Sequence, residues 1–283
     1  MYDLTTTLVQ AGVHRRFAVD VMSVVRGIRR VGLLHVPLDA ETVVRSSLAP
    51  LDLVVFDRRE LVRFDDPHSR EGVLRECRPG EMVNYVELWF SRDSDRTPTT
   101  REHFINPGRH LGYPDCCVAE WERLQSQSEF YSRYLFGTHD GFWELNRLST
   151  VFQGGLLFPD FYPCSLQCAS ARDYVAPFLS LAGEVLDSHW VDETLTWMKA
   201  ALVIRGTILY AFPQWTMSDS ELLLHVHQAT RIPLHSVGTF DVPCDPRPRL
   251  LPLRHFADAA RVTLVSEEGQ KTALLDLNAT RGT

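Results

Sequence analysis

Two short segments, each opened by a Tyr-Pro step, carry four of the six cysteines in the chain. They are Tyr113-Pro114-Asp115-Cys116-Cys117 and Tyr162-Pro163-Cys164-Ser165-Leu166-Gln167-Cys168. Proline is favoured at the first position of a helix, where its missing N–H costs nothing. Each segment therefore predicts a helix start. Val118, Trp121 and Leu124 extend the first as an apolar stripe, and Tyr174, Phe178, Leu181 and Val185 extend the second, with Pro177 expected to kink or break it. Cys116 and Cys117 fall in a first turn, and Cys164 and Cys168, four apart, share a helix face. Unsatisfied N–H groups and the helix dipole stabilise negative charge there, which favours thiolate, the form that binds metal or attacks an electrophile.

A lone cysteine is often core filler. Four in two proline-led pairs argue for convergence on one shared site, with sulfurs of the two pairs within about 10 Å of each other on ordinary metal–sulfur bond lengths. A zinc ribbon carries a C-x2-4-C pair at each end; here one pair is vicinal and the other is C-x3-C, so that pattern is not met, and no ferredoxin spacing is present. Adjacent cysteines in a helical turn point about 100° apart, which suits ligation of a large cluster. An iron–sulfur cluster is the expected cofactor, zinc the alternative and a metal-free thiol redox pair the third reading. His110 and Asp115 are the candidates for catalytic proton transfer or for support of the ligands.

Other features carry less. His103, His139 and Asp140 read as loop residues, Gly154-Gly155 as a turn, and Cys77 and Cys244 as bystanders. His225-Val226-His227 would present both rings on one face of a strand, but Ser218 and Glu221 have capping-box spacing and predict a helix over 219–229, where the two diverge. Glu120 and Glu122 read as solvated helix charges, as do the pairs Arg29-Arg30 and Arg58-Arg59. Tyr113 and Tyr162 read as aromatics packed beside proline. Phosphate loops, nucleophile elbows, zinc-protease helices and the three-cysteine radical SAM motif are absent.

The run Gly112-Tyr113-Pro114-Asp115-Cys116-Cys117 followed by Pro163-Cys164-x3-Cys168 resembles an uncharacterised prokaryotic family, a domain of unknown function with a Gly-Tyr-Pro-x-Cys-Cys motif and a later Pro-Cys-x3-Cys motif. The resemblance covers roughly residues 109–190 and implies no established activity.

The 283 residues are 45% hydrophobic, enough for a sizeable core. A net charge of −7 argues against nucleic acid as a partner. There is no signal-peptide pattern and no apolar run of membrane-spanning length, so the expected setting is the cytoplasm, where thiols stay reduced. Lys199 and Lys271 are the only lysines among many arginines, a bias of GC-rich bacterial genomes.

Hydrophobic patterning predicts an α+β chain: a small N-terminal α/β unit over 1–90, a connecting loop over 91–108, and a cysteine-site domain over 109–283. That domain should be helical through 109–200 and mixed over 201–283, with a β-containing end. The first unit should hold a helix over 15–30 closed by Gly32, a strand at 33–36, a short helix from Asp39, and strands over 51–56 and 60–64 joined as a hairpin at Asp57-Arg58-Arg59. A further strand is expected at 83–90. Together these readings predict a cysteine-ligated metalloenzyme acting on a small molecule by redox, Lewis-acid or sulfur-transfer chemistry in bacterial metabolism. A non-catalytic module with a structural zinc site for partner binding is the alternative.

Overall fold

The computed structural model describes residues 4–66, 69–92, 107–124, 141–145, 161–233, 248–251, 254–256 and 258–276. His103, His139, Asp140, Gly154, Gly155, Cys244 and most of the 91–108 connection lie outside them. The fold is α+β. It divides into two compact units: residues 1–118 with 173–191, and residues 119–172 with 192–283. The division does not run along the sequence boundary near 108, because each unit takes in a later or an earlier stretch of chain.

The first unit contains α1 (Leu4–Gln10), α2 (Phe17–Val25), β1 (Val31–Pro37), α3 (Glu41–Leu48), β2 (Leu53–Asp66), β3 (Ser69–Glu76), β4 (Tyr85–Arg92) and the single turn α4 (Pro107–His110). Its strands form one antiparallel sheet in the order β1-β4-β2-β3. Strand alternation sends Leu34, Val36, Leu88 and Phe90 to one face, all fully buried, and α2 packs on β1 and β4 with Val21 and Val24 buried. Each such side chain contributes about 1.5–3 kcal/mol of burial free energy before chain entropy is set against it. The other face gathers Val31, Trp89 and Leu111, with Leu33, Phe56 and Tyr113 against them. On that face Glu87 accepts a hydrogen bond from Trp89 Nε1 at 2.8 Å and meets His35 Nε2 at 3.2 Å. Burial alone would raise its pKa, but His35, Trp89 and Arg59 outweigh burial and hold the carboxyl below its ordinary value.

Several expectations change here. The helix ends sooner than 30. Ile28 N–H bonds to Ser23 C=O and Gly27 N–H to Val24 C=O, a Schellman closure that needs the positive φ of 70° at Gly27. Gly32 is the second residue of β1 rather than a helix stop. The hairpin expected at Asp57-Arg58-Arg59 is instead one strand, β2, with a bulge between Val55 and Asp57. Its charges look like a turn in sequence but find partners on α3 and the sheet: Arg58 pairs with Glu41 of α3 and Glu60 of β2, and Arg59 with Glu76 of β3. Arg29 is buried, paired with Asp20 at 3.2 Å and seated over the Phe178 ring.

The second unit carries two four-stranded sheets. β5 (Ala201–Arg205), β6 (Ile208–Phe212), β9 (Thr230–Pro233) and β10 (Arg249–Leu251) order as β10-β5-β6-β9. β7 (Trp215–Ser218), β8 (Glu221–His225), β11 (Arg261–Val265) and β12 (Lys271–Asp276) order as β12-β11-β8-β7, with β8 and β11 parallel. β11 and β12 pair antiparallel as a hairpin. The helix expected over 219–229 is not. Ser218 and Glu221 are opposed across the β7–β8 hairpin, turned by Asp219 at φ 49°. Leu222 and Leu224 are fully buried while Glu221, Leu223 and His225 are half-buried, which is the period-2 burial of a strand. Among the described residues no helix is long and apolar enough to cross a membrane.

Candidate metal centre

α5 (Asp115–Leu124) begins as the Tyr-Pro step predicts, shifted by one residue. Cys117 and Val118 N–H groups donate to the Pro114 carbonyl at 2.8 and 3.0 Å, so Pro114 caps the helix and Asp115 is its first residue. Cys116 and Cys117 lie in the first turn with sulfurs 3.9 Å apart. Cys116 is exposed and Cys117 buried. Val118 and Leu124 carry the buried stripe, and Glu120 pairs with Arg123 at 2.8 Å. Tyr113 packs edge-on against Tyr174, whose hydroxyl donates to the Leu111 carbonyl.

The second segment departs from expectation. α6 (Ala169–Val185) begins only after Cys168, so Cys164 and Cys168 do not share a helix face. They lie in the turn that leads into the helix, and Pro177 sits within α6 without ending it. Cys168 is the helix cap. Its Sγ accepts the Ala171 N–H at 3.3 Å, and its carbonyl accepts the Arg172 N–H at 3.1 Å. Those are the two bonds of an N-cap, with sulfur in the place usually held by a Ser or Asp oxygen. A thiolate gains there, because it meets an otherwise orphan donor and the positive end of the dipole.

The turn is held from two sides. Phe142 N–H donates to the Leu166 carbonyl at 2.7 Å, and Gly141 lies so close that an added Cβ would collide with Leu166 Cβ. The Phe142 ring is covered by the Arg172 and Arg254 guanidiniums at 4.4 and 4.3 Å from its centroid. Tyr162, two residues before Cys164, stacks on Trp121 of α5 with ring centroids 4.8 Å apart and planes within 9°. Sequence reading missed Trp121, Gly141 and Phe142 as supports. The signal available was Trp121 standing four residues after Cys117, one turn along the same helix.

The four sulfurs of Cys116, Cys117, Cys164 and Cys168 all lie within 4.8 Å of one another, and this set can hold a metal ion. Cys164 and Cys168 are both half-buried. Neither His110, half-buried at the end of α4, nor Asp115, exposed at the start of α5, belongs to the group. Cys77 lies elsewhere, its thiol against the Arg78 and Glu81 carbonyls. His225 and His227 stand edge to face with centroids 6.1 Å apart, and no third ligand among the described residues joins them. No protein-family model, curated protein or solved structure matches the chain.

Proposed function

We propose that Cys116, Cys117, Cys164 and Cys168 bind a single metal ion as a tetrahedral thiolate set, with zinc as its occupant, and that this centre anchors the start of α5 to the turn before α6. The observation that carries the reading is the 4.8 Å limit on every sulfur–sulfur separation. Tetrahedral geometry with a Zn–S bond of about 2.3 Å separates thiolate sulfurs by about 3.8 Å, close to the 3.9 Å between Cys116 and Cys117. Sulfurs on different irons of a cluster stand farther apart, roughly 6 Å, because the iron–iron separation adds to the outward reach of two bonds. The spacing therefore favours one ion over the iron–sulfur cluster that the vicinal cysteines suggested.

Four thiolates on a divalent ion leave a net charge of −2, which the Ala171 N–H partly offsets at Cys168. A closed four-sulfur site without an open position is a structural centre, which supports the non-catalytic reading. One observation favours an enzymatic role: Cys116 is exposed, so one bound thiolate faces solutes and is open to electrophiles. Placement in the Gly-Tyr-Pro-x-Cys-Cys family belongs to the same proposal, since the residues that carry that resemblance are the ones that meet.

Metal analysis with an absorption spectrum on anaerobically purified protein tests the reading. One zinc per chain, a colourless solution and, after cobalt exchange, the intense visible bands of a tetrahedral tetrathiolate are expected. A Cys164→Ser variant should lose the metal. A brown protein carrying iron and acid-labile sulfide would overturn the single-ion reading. Protein without metal that forms a stoichiometric disulfide would return the thiol redox reading.

A further inference from the structure

The second unit holds a pocket of about 300 Å³ whose walls come from both of its sheets. Strand register builds one wall. Val203 of β5, Tyr210 of β6 and Arg231 of β9 are direct cross-strand partners in one row. Arg205, two residues beyond Val203, shares its face, as Phe212 does with Tyr210. Leu264 of β11 and Leu274, the extra residue of a bulge in β12, supply the opposite wall. The interior is therefore mostly apolar, with two aromatic rings, and carries two guanidiniums.

Those two arginines differ from others on the chain. Arg15, Arg26, Arg45, Arg58 and Arg123 each reach a carboxylate within 3.3 Å. Among the described residues no carboxylate pairs with Arg205 or Arg231, although acidic residues outnumber basic ones 36 to 29 over the whole sequence. Both are exposed, so neither pays a burial penalty for standing alone. Two cations without a carboxylate partner among the described residues, beside an apolar, aromatic-lined cavity, complement a ligand with an apolar body and an anionic end.

We infer that this pocket binds a small aromatic carboxylate, its ring between Tyr210, Phe212 and the facing leucines and its carboxylate at Arg205 and Arg231. The volume sets the size. A cavity of about 150 Å³ accepts benzene, so this one takes on the order of a dozen non-hydrogen atoms. The site involves none of the four cysteines, and its test reads independently of the metal.

The experiment is calorimetric titration of the full chain with naphthoate and with the uncharged, near-isosteric naphthamide. Naphthoate should bind once per chain, at least about tenfold more tightly than the amide, because guanidinium–carboxylate hydrogen bonds are charge-assisted. Arg205→Gln and Arg231→Gln should each weaken naphthoate by roughly five- to tenfold and leave naphthamide unchanged. Leu264→Trp should abolish binding of both by filling the cavity. Unchanged circular dichroism spectra of the two arginine variants establish that the fold survives. Absence of saturable naphthoate binding, or equal affinity for acid and amide with no effect of either arginine, would overturn the assignment.

Discussion

Trp121 and Tyr162 lie face to face, with ring planes 9° apart and centroids separated by 4.8 Å. One ring sits four residues after Cys117 and the other two residues before Cys164, so the stack joins the two cysteine-bearing segments. Offset or parallel aromatic pairs contribute about 0.5–1.5 kcal/mol beyond the area they bury. A double-mutant cycle of Trp121→Leu and Tyr162→Leu should return a coupling energy in that range. Both single variants should still load metal, with lower affinity in a competition against a zinc chelator. Unaltered affinity would detach the stack from the cysteine set.

Cys116 and Cys117 are neighbours with opposite environments, one exposed and one buried with 2% of its surface accessible. Serine at either position should reduce zinc content. Without metal the two variants should part. Cys116→Ser should cost the apo protein under about 0.5 kcal/mol, as an ordinary surface change does. Cys117→Ser places a hydroxyl in the core and should cost about 1–3 kcal/mol. Urea titration of both variants after chelation makes the comparison.

Gly141 and Leu166 approach too closely for any side chain at 141. Gly141→Ala must push the turn that carries Cys164 and Cys168, at a cost of about 1–3 kcal/mol. Because that turn supplies two sulfurs, zinc affinity should drop with stability. A variant that melts lower yet holds zinc as tightly as the parent would show that the turn moves as a rigid piece. In the parent, chelation alone should remove about 3 kcal/mol, the value of a ligand near a hundredfold above its dissociation constant, and lower Tm by roughly 6–12 °C for a chain of this size.

Burial, helped by Arg16 and Arg15, lowers the His14 pKa from 6.5 to about 4. The folded ring is therefore neutral at pH 5, with Nδ1 accepting the Arg16 N–H at 3.2 Å. The unfolded chain takes up a proton near pH 6.5 while the folded one waits until about 4, so the unfolded state binds more protons between them and stability falls as pH drops through that window. Linkage gives a loss of about 2 kcal/mol at pH 5 relative to pH 7.5, which solvent screening of a partly exposed ring reduces toward about 1 kcal/mol. His14→Gln, which cannot titrate, should flatten that part of the stability–pH curve. An identical slope in the variant would place the proton uptake elsewhere.

Much of the scaffold was readable because burial period and local geometry agree. Val31 to Pro37 and Tyr85 to Arg92 are β-rich apolar runs with several consecutive residues buried, and the β11–β12 hairpin carries its turn glycine, Gly269, at φ 76°. Two of the failures share one cause: a local motif that two conformations satisfy. Ser218 to Glu221 fits a capping box and also a tight hairpin, and the choice falls to the burial of Leu222 and Leu224 across from β11. Asp57-Arg58-Arg59 looks like a turn until Glu41, Glu60 and Glu76 are known to lie within reach. Convergence of the four cysteines was legible from two Tyr-Pro-led pairs. Their separation was not, because the path of the chain over 164–168 depends on Gly141 and Phe142, remote in sequence. The proposal of one ion in place of a cluster rests on that separation.

The sulfur of Cys168 serves two structures at once, since the atom offered to the metal also receives the opening amide of α6. An oxidant that converted this thiol to a sulfinate would replace a soft ligand with hard oxygens while leaving the amide a stronger acceptor than before. The damaged chain would then shed its ion yet keep its helix, so a spectroscopic search for unfolding would overlook the injury and only a metal assay would register it.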